Sequence, residues 1–295
     1  MELFTGSGVA LITPFDENGD VNYSRLREIL EFHVINHTDA IIVTGTTGEG
    51  STLSDEEKIS VIEFTVDIIN SRIPVIAGTG SNDTRHAAKF SKRVEKLGVD
   101  GLLVVTPYYN KGNENGIYEH YKAIAEGVKI PVILYNVPSR TGVNLSIPLL
   151  KRLAQIENIT ALKEASGNIS YVAEVAREVP ELDIYSGNDD MVVPVLSLGG
   201  KGVISVSANI IPDISHDMTV SFLKGDIKKA RELQLKYNDL VNALFLETNP
   251  VPVKEAMNFL GYEVGNCRLP LGAMNESNRV RLTDILTAHE VTGWK

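Results

Sequence analysis

The chain has 295 residues, 43% hydrophobic and 22% charged. These near-average values exclude a disordered or fibrous protein and allow a sizeable core, in two average domains or one large α/β domain. With 28 basic against 38 acidic side chains the net charge is −10, which argues against a general nucleic-acid or anionic-membrane binder, so an anionic ligand needs a local site. The longest apolar stretches, such as Met191 to Leu198, fall far short of the roughly 20 residues that span a bilayer. Cys267 is the single cysteine and cannot form an internal disulfide, and the N-terminus lacks a basic region followed by an apolar run. A cytoplasmic protein is expected.

Short β-rich apolar runs alternate with longer segments of helical period. In chain order the expected strands are Val9 to Ile12, Ala40 to Val43, Pro74 to Ala77, Gly101 to Val105, Pro131 to Tyr135, Ile159 to Lys163, Leu182 to Tyr185 and Gly202 to Val206. They are continuously apolar, as suits strands buried on both faces of a parallel sheet. Helices are expected between them over Tyr23 to Asn36, Asp55 to Asn70, Asp83 to Leu97, Gly116 to Val128 and Ile147 to Gln155, with Ser54 capping the second and Glu57 at its third position. Eight strand-then-helix units without a composition break predict an α/β fold of the (β/α)8 TIM-barrel type. After the eighth strand only helices follow, roughly Asp213 to Leu223, Asp226 to Leu246, Val253 to Leu260 and Asn278 to Glu290. The expectation is a barrel over 1–224 and a C-terminal helical extension over 225–295.

Barrel active sites lie at the C-terminal ends of the strands. Strand 2 ends in Thr44-Gly-Thr-Thr-Gly-Glu, strand 4 in Thr106-Pro-Tyr-Tyr-Asn, strand 5 in Tyr135-Asn-Val-Pro-Ser-Arg and strand 6 in Lys163-Glu. A lysine at an apolar barrel mouth loses hydration, its pKa falls, and the neutral amine can attack a carbonyl to form a Schiff base. The alternative is a lysine that simply reaches solvent, and pattern alone favours it. Tyr135 is a candidate proton shuttle with Thr46 and Tyr109 as hydroxyl partners, or else a core aromatic. The Gly45-Thr-Thr-Gly turn offers amides and hydroxyls to a carboxylate, and Arg140 offers a bidentate clamp; ordinary turn chemistry and a solvated loop arginine are the competing readings. His33 and His37 have metal-like spacing without a third ligand, Cys267 reads as structural, and neither a dinucleotide fingerprint, a Walker sequence nor a nucleophile elbow follows a strand.

Together these strand ends, with Lys163-Glu-Ala-Ser-Gly-Asn, Tyr185-Ser-Gly-Asn-Asp-Asp and Gly202-Val-Ile-Ser-Val, resemble the dihydrodipicolinate synthase family, within the N-acetylneuraminate lyase superfamily. The likeness runs from Gly6 to Arg268-Leu-Pro-Leu and covers essentially the whole chain. It implies condensation of pyruvate with L-aspartate 4-semialdehyde to 4-hydroxy-tetrahydrodipicolinate, on the diaminopimelate route to lysine, in a homo-oligomer, dimer or tetramer. By position Lys163 resembles the Schiff-base lysine, Tyr135 the proton donor and acceptor, and Thr46 and Tyr109 the relay, with Tyr109 reaching from a neighbouring subunit. Thr47 and Ile204 match pyruvate-binding positions, and Arg140 and Gly187 those around the semialdehyde. No metal or organic cofactor is implied, only the covalent pyruvate imine on Lys163, and no nucleic acid or membrane partner. Superfamily relatives that act as N-acetylneuraminate lyases or 2-keto-3-deoxy sugar-acid aldolases share the lysine and tyrosine but usually lack this arginine. A keto-acid sensor without turnover is the non-catalytic alternative. In lysine-inhibited members the allosteric cleft uses the Tyr108 and Asn82 positions, matched here, with a glutamate where this chain has His86 and histidines where it has Asp55 and Lys58. Weak or absent lysine feedback is expected.

Overall fold

The computed structural model describes residues 3–293. Strand and helix alternate: β1 Gly6–Ala10, α1 Tyr23–Ile35, β2 Ala40–Val43, α2 Asp55–Ile69, β3 Val75–Gly78, α3 Thr84–Glu95, β4 Gly101–Val105, α4 Glu114–Ala125 and β5 Val132–Asn136. Two short helices follow, α5 Pro138–Thr141 and α6 Ile147–Leu153, then β6 Ile159–Glu164, α7 Ile169–Glu178, β7 Asp183–Ser186, α8 Val192–Ser197 and β8 Gly202–Ser205. The strands close in sequence order into a parallel barrel, β8 pairing with β1, the (β/α)8 architecture expected from the apolar runs.

Closure divides each strand's side chains between two cores, because successive residues point to opposite faces. Inward-facing Ile42, Ile76, Leu103, Ile133, Ala161 and Ile204 fill the barrel, and outward-facing Val9, Ile41, Val104, Leu134 and Leu162 pack beneath the helices. At the N-terminal end Phe4 stacks on Tyr185, ring centroids 4.4 Å apart, and the Tyr185 hydroxyl donates to the Phe4 carbonyl at 2.5 Å. That end is closed by aromatic packing, and the polar groups gather at the other.

Two expectations need correction. The first strand begins at Gly6, earlier than the apolar run Val9 to Ile12, because its ladder to β8 starts with Gly6 opposite Gly202; the pairing partner, not hydrophobicity, sets its start. The helix expected over Asp226 to Leu246 is broken at Tyr237 into α10 Ile227–Lys236 and α11 Asn238–Ala243. Here α10 packs on α9 (Pro212–Leu223) whereas α11 packs on α13 (Glu276–Ala288), so the chain must turn between them. The Ser54 cap is present, with Glu57 completing a reciprocal capping box.

After α9 the remaining helices, including α12 Val251–Phe259, return to the barrel mouth through one buried ion pair. Lys254 Nζ donates to Glu49 Oε1 at 2.9 Å and to the carbonyls of Thr13 and Asn266 at 3.1 and 3.0 Å, and lies 4.2 Å from the Phe15 ring centroid. Glu49 Oε2 accepts the Arg268 amide at 2.8 Å, and the Arg268 guanidinium grips Glu57 at the start of α2. Burial pulls the Lys254 pKa down and the Glu49 charge opposes it. Removing one partner of such a pair strands the other charge away from water. Glu49→Ala should therefore lower unfolding free energy by about 3–5 kcal/mol, and the joint Glu49→Gln/Lys254→Met variant by much less, as read from denaturant unfolding curves.

Candidate active site

The register of β5 against β6 sets Tyr135 opposite Lys163, and that of β6 against β7 sets Lys163 opposite Tyr185. All three face into the barrel, and Lys163 and Tyr135 stand at its C-terminal rim. Lys163 is only 6% exposed, so it does not reach solvent as the commoner reading of a strand-ending lysine would have it. Its Nζ lies 4.5 Å from the centroid of the Tyr135 ring. Desolvation lowers its pKa to about 8; the Asp189 carboxylate opposes the shift and the Arg140 cation adds to it.

Tyr135 is also buried, which raises its phenol pKa, while the positive charge of Arg140 and a hydrogen bond with the Thr46 side chain pull the other way. Thr46 belongs to the turn after β2, whose backbone is held in left-handed conformations at Thr44 (φ 55°) and Glu49 (φ 53°). For a β-branched residue such as Thr44 this is a real strain, of the kind that persists where surrounding structure enforces it. The enforcement is visible: the Thr44 hydroxyl donates to the Gly78 carbonyl, and Glu49 is locked by Lys254. Next to Thr46, Thr47 is buried and its Oγ1 accepts from Asn249 Nδ2 at 3.0 Å.

Arg140 stands on α5, directly after β5, and its Nη2 donates to the Asn249 carbonyl at 3.1 Å. Ile204, fully buried in β8, faces into the barrel. Gly187 follows β7, and a Cβ there would fall 3.1 Å from Lys163 Cε and 2.7 Å from Ala165 Cβ. Only glycine leaves the lysine stem its course.

Tyr135 and Arg140 border a cavity of about 330 Å³ that extends to Lys58, His86 and Tyr108. Lys163 lies on the Tyr135 ring rather than in this cavity's wall. At the far end Asp55 is already engaged, by His86 Nε2 at 2.8 Å and Lys58 Nζ at 3.7 Å, and the His86 imidazole and the Lys58 ammonium both lie against the Phe90 ring. Asn82 presents its backbone carbonyl to Asn110 Nδ2 at 2.9 Å. Tyr109 is not brought to Tyr135 within this chain: it is 89% exposed, at a φ of 72°.

Sequence reasoning gave no role to Asp189 or Asn249. Asp189 is buried and accepts from the Ser205 and Ser207 hydroxyls and from the Val206 and Ser207 amides. A carboxylate two residues past Gly187 in a polar strand end is a signal that could have found it. Asn249 lies some 200 residues from Thr47, in the turn before α12; the family likeness includes its Glu247-Thr-Asn-Pro stretch, but the residue types there do not by themselves mark a role. The remaining candidates are structural in the fold. His33 Nδ1 lies 2.9 Å from the Thr38 hydroxyl inside the core, and burial lowers its pKa to about 3. His37 is exposed, its ring tilted at 39° to that of His216 with centroids 5.8 Å apart. Burial and Glu49 push the Cys267 thiol up to about 12, which keeps it protonated and unreactive. Among the described residues no helix is long and apolar enough to cross a membrane.

The family model described as "Dihydrodipicolinate synthetase family" matches residues 3–289. A protein of Brachyspira hyodysenteriae named 4-hydroxy-tetrahydrodipicolinate synthase is 54% identical over 289 residues, covering 98% of this chain and 99% of that one. The crystal structure of dihydrodipicolinate synthase from Aquifex aeolicus superposes with a TM-score of 0.96 at 44% identity, covering 99% of this chain and 100% of that one. The chloride-inhibited dihydrodipicolinate synthase of Acinetobacter baumannii, solved with pyruvate, gives 0.95 at 42% identity over 97% and 99% of the two chains. The chain belongs to the dihydrodipicolinate synthetase family.

Proposed function

We propose that this chain condenses pyruvate with L-aspartate 4-semialdehyde to 4-hydroxy-tetrahydrodipicolinate through a Schiff base on Lys163, with no metal or organic cofactor. The main support is the buried Lys163 amine facing Tyr135, with a pKa near 8. At pH 7.5 about a quarter of such an amine is neutral, against about one part in a thousand for an ordinary lysine at ~10.4. The neutral Nζ attacks C2 of pyruvate. Tyr135, its phenol kept protonated by burial, gives a proton to the carbinolamine hydroxyl, which leaves as water.

The resulting iminium draws electrons from C3, which loses a methyl proton to become an enamine. C3 then attacks the aldehyde carbon, whose oxygen takes a proton and becomes a hydroxyl. The semialdehyde's own amine replaces Lys163 at C2, closing the ring and restoring the free lysine; one water is released overall. Thr46 passes protons between Tyr135 and the outside, and Tyr109 completes that relay from a neighbouring copy, a reading supported by its exposure on a left-handed turn. Thr47 and Ile204 hold the keto acid. Arg140 receives the semialdehyde carboxylate beside Gly187, and supplies the local positive charge that an acidic protein needs for two anionic substrates.

Borohydride with pyruvate should leave a reduced adduct on Lys163, and Lys163→Ala should lose both adduct and turnover; an adduct on another residue refutes the mechanism. Tyr135→Phe should lower kcat by about 100- to 10,000-fold, the range for a lost general acid–base.

The pH dependence has a definite sign. Because the neutral amine attacks, trapping should rise with pH to half its maximum near 8. Asp189→Asn, which removes the charge that raises the lysine pKa, should move that midpoint to lower pH.

Lysine should inhibit weakly or not at all. At the cavity end near Tyr108 the Asp55 carboxylate is already engaged by His86 and Lys58, so the ammonium of added lysine finds no free carboxylate there and meets the Lys58 cation. Titration into the assay tests this, and half-inhibition at submillimolar lysine would overturn it.

A further inference from the structure

Asn249 belongs to none of the barrel strands or their loops, yet it touches two of the side chains assigned above to the substrates. It is 5% exposed and immediately precedes Pro250 at the start of α12. Its side-chain Nδ2 donates to Thr47 Oγ1 at 3.0 Å, and its backbone carbonyl accepts from Arg140 Nη2 at 3.1 Å. The two contacts are made by different parts of one residue, so they can be separated by mutation.

A threonine hydroxyl has one proton to give and lone pairs to receive. With Asn249 Nδ2 occupying the Thr47 oxygen as an acceptor, the single O–H of Thr47 is left to donate elsewhere. In a site for a keto acid the fitting recipient is its carboxylate, and a hydrogen bond to a charged acceptor is among the stronger ones. The amide reaches the hydroxyl from a segment held by its own hydrogen bonds, Val251 N to the Thr248 carbonyl and Lys254 N to the Pro250 carbonyl, both at 3.0 Å. The Lys254–Glu49 pair fixes that segment to the same turn that carries Thr47. Asn249 Oδ1 is buried without a protein partner among the described residues, so the side chain is oriented through its N–H.

We infer that Asn249 is a positioning residue for the keto-acid end of the site: its side chain directs the Thr47 hydroxyl toward the substrate carboxylate, while its backbone seats Arg140. The inference rests on the proposed condensation. It adds that the helical extension, remote in sequence, orients the pyruvate-binding hydroxyl.

The test uses the full chain, with wild type first shown to trap pyruvate and to condense it with the semialdehyde. Failure at that stage counts against the proposed function and not against Asn249. Asn249→Ala and Asn249→Asp are then compared. Alanine leaves the Thr47 hydroxyl undirected. The isosteric aspartate accepts its proton and turns it away, and carries the test should the alanine variant not fold. In both, KM for pyruvate should rise by roughly 10- to 100-fold, with the change carried by KM rather than kcat. KM for the semialdehyde should stay close to wild type because the backbone carbonyl that seats Arg140 is kept. In a Thr47→Val background, Asn249→Ala should change the pyruvate KM by no more than about twofold, since the interaction it acts through is already gone. Three results would overturn the inference: an unchanged or lowered pyruvate KM, an equal rise for both substrates accompanied by a fall in thermal midpoint, or a full effect persisting in the Thr47→Val background.

Discussion

Taking one ammonium group out of water is the constraint around which the site is organised. A lysine with a free choice would extend to solvent, because the charged form is far better hydrated there. Lys163 has no such choice, since strand register fixes its direction and the stem runs between Gly187 and the Tyr135 ring. Burial alone would drive its pKa lower still. Asp189, held by hydroxyls and amides at the end of β8, restrains the fall, so the amine is left poised near 8 instead of permanently neutral. Depression by desolvation and restraint by a nearby carboxylate together leave both the neutral and the charged form of the amine accessible near neutral pH.

The helical extension contributes to that site as much as the barrel does. Lys254, Arg268 and Asn249 all converge on the turn after β2. That turn carries two residues in left-handed conformations that no isolated segment would favour, and the converging contacts are what hold it. A buried ion pair is weak evidence for stability in general. Here its geometric consequence is clearer than its energetic one: it places the Thr46 and Thr47 hydroxyls at the barrel mouth.

Electrostatics divide the molecule in the same way. The overall charge of −10 repels anions, whereas Arg140 and Lys163 make the mouth locally cationic. At the far end of the cavity Lys58 and the His86 imidazole take up the Asp55 carboxylate. A local field can differ in sign from the global one because exposed charges beyond a Debye length, about 8 Å at physiological salt, are largely screened.

The eight strands were legible in the sequence because burial on both faces leaves continuous apolar runs, and the ends of those runs marked Lys163, Tyr135, Thr46, Thr47 and Arg140 as polar groups at one rim. Strand order and closure followed from the repeated unit. What the chain could not reveal locally was set by pairing and by distance. The start of β1 depended on β8, and the break at Tyr237 on which helices α10 and α11 met. Whether Lys163 met water or a tyrosine face depended on its neighbours across the sheet. Asn249 gained meaning only when a segment some 200 residues away was folded against Thr47. Periodicity and composition record how much of a residue is buried, whereas direction, partner and protonation arise from neighbours that only the closed barrel and its extension bring together.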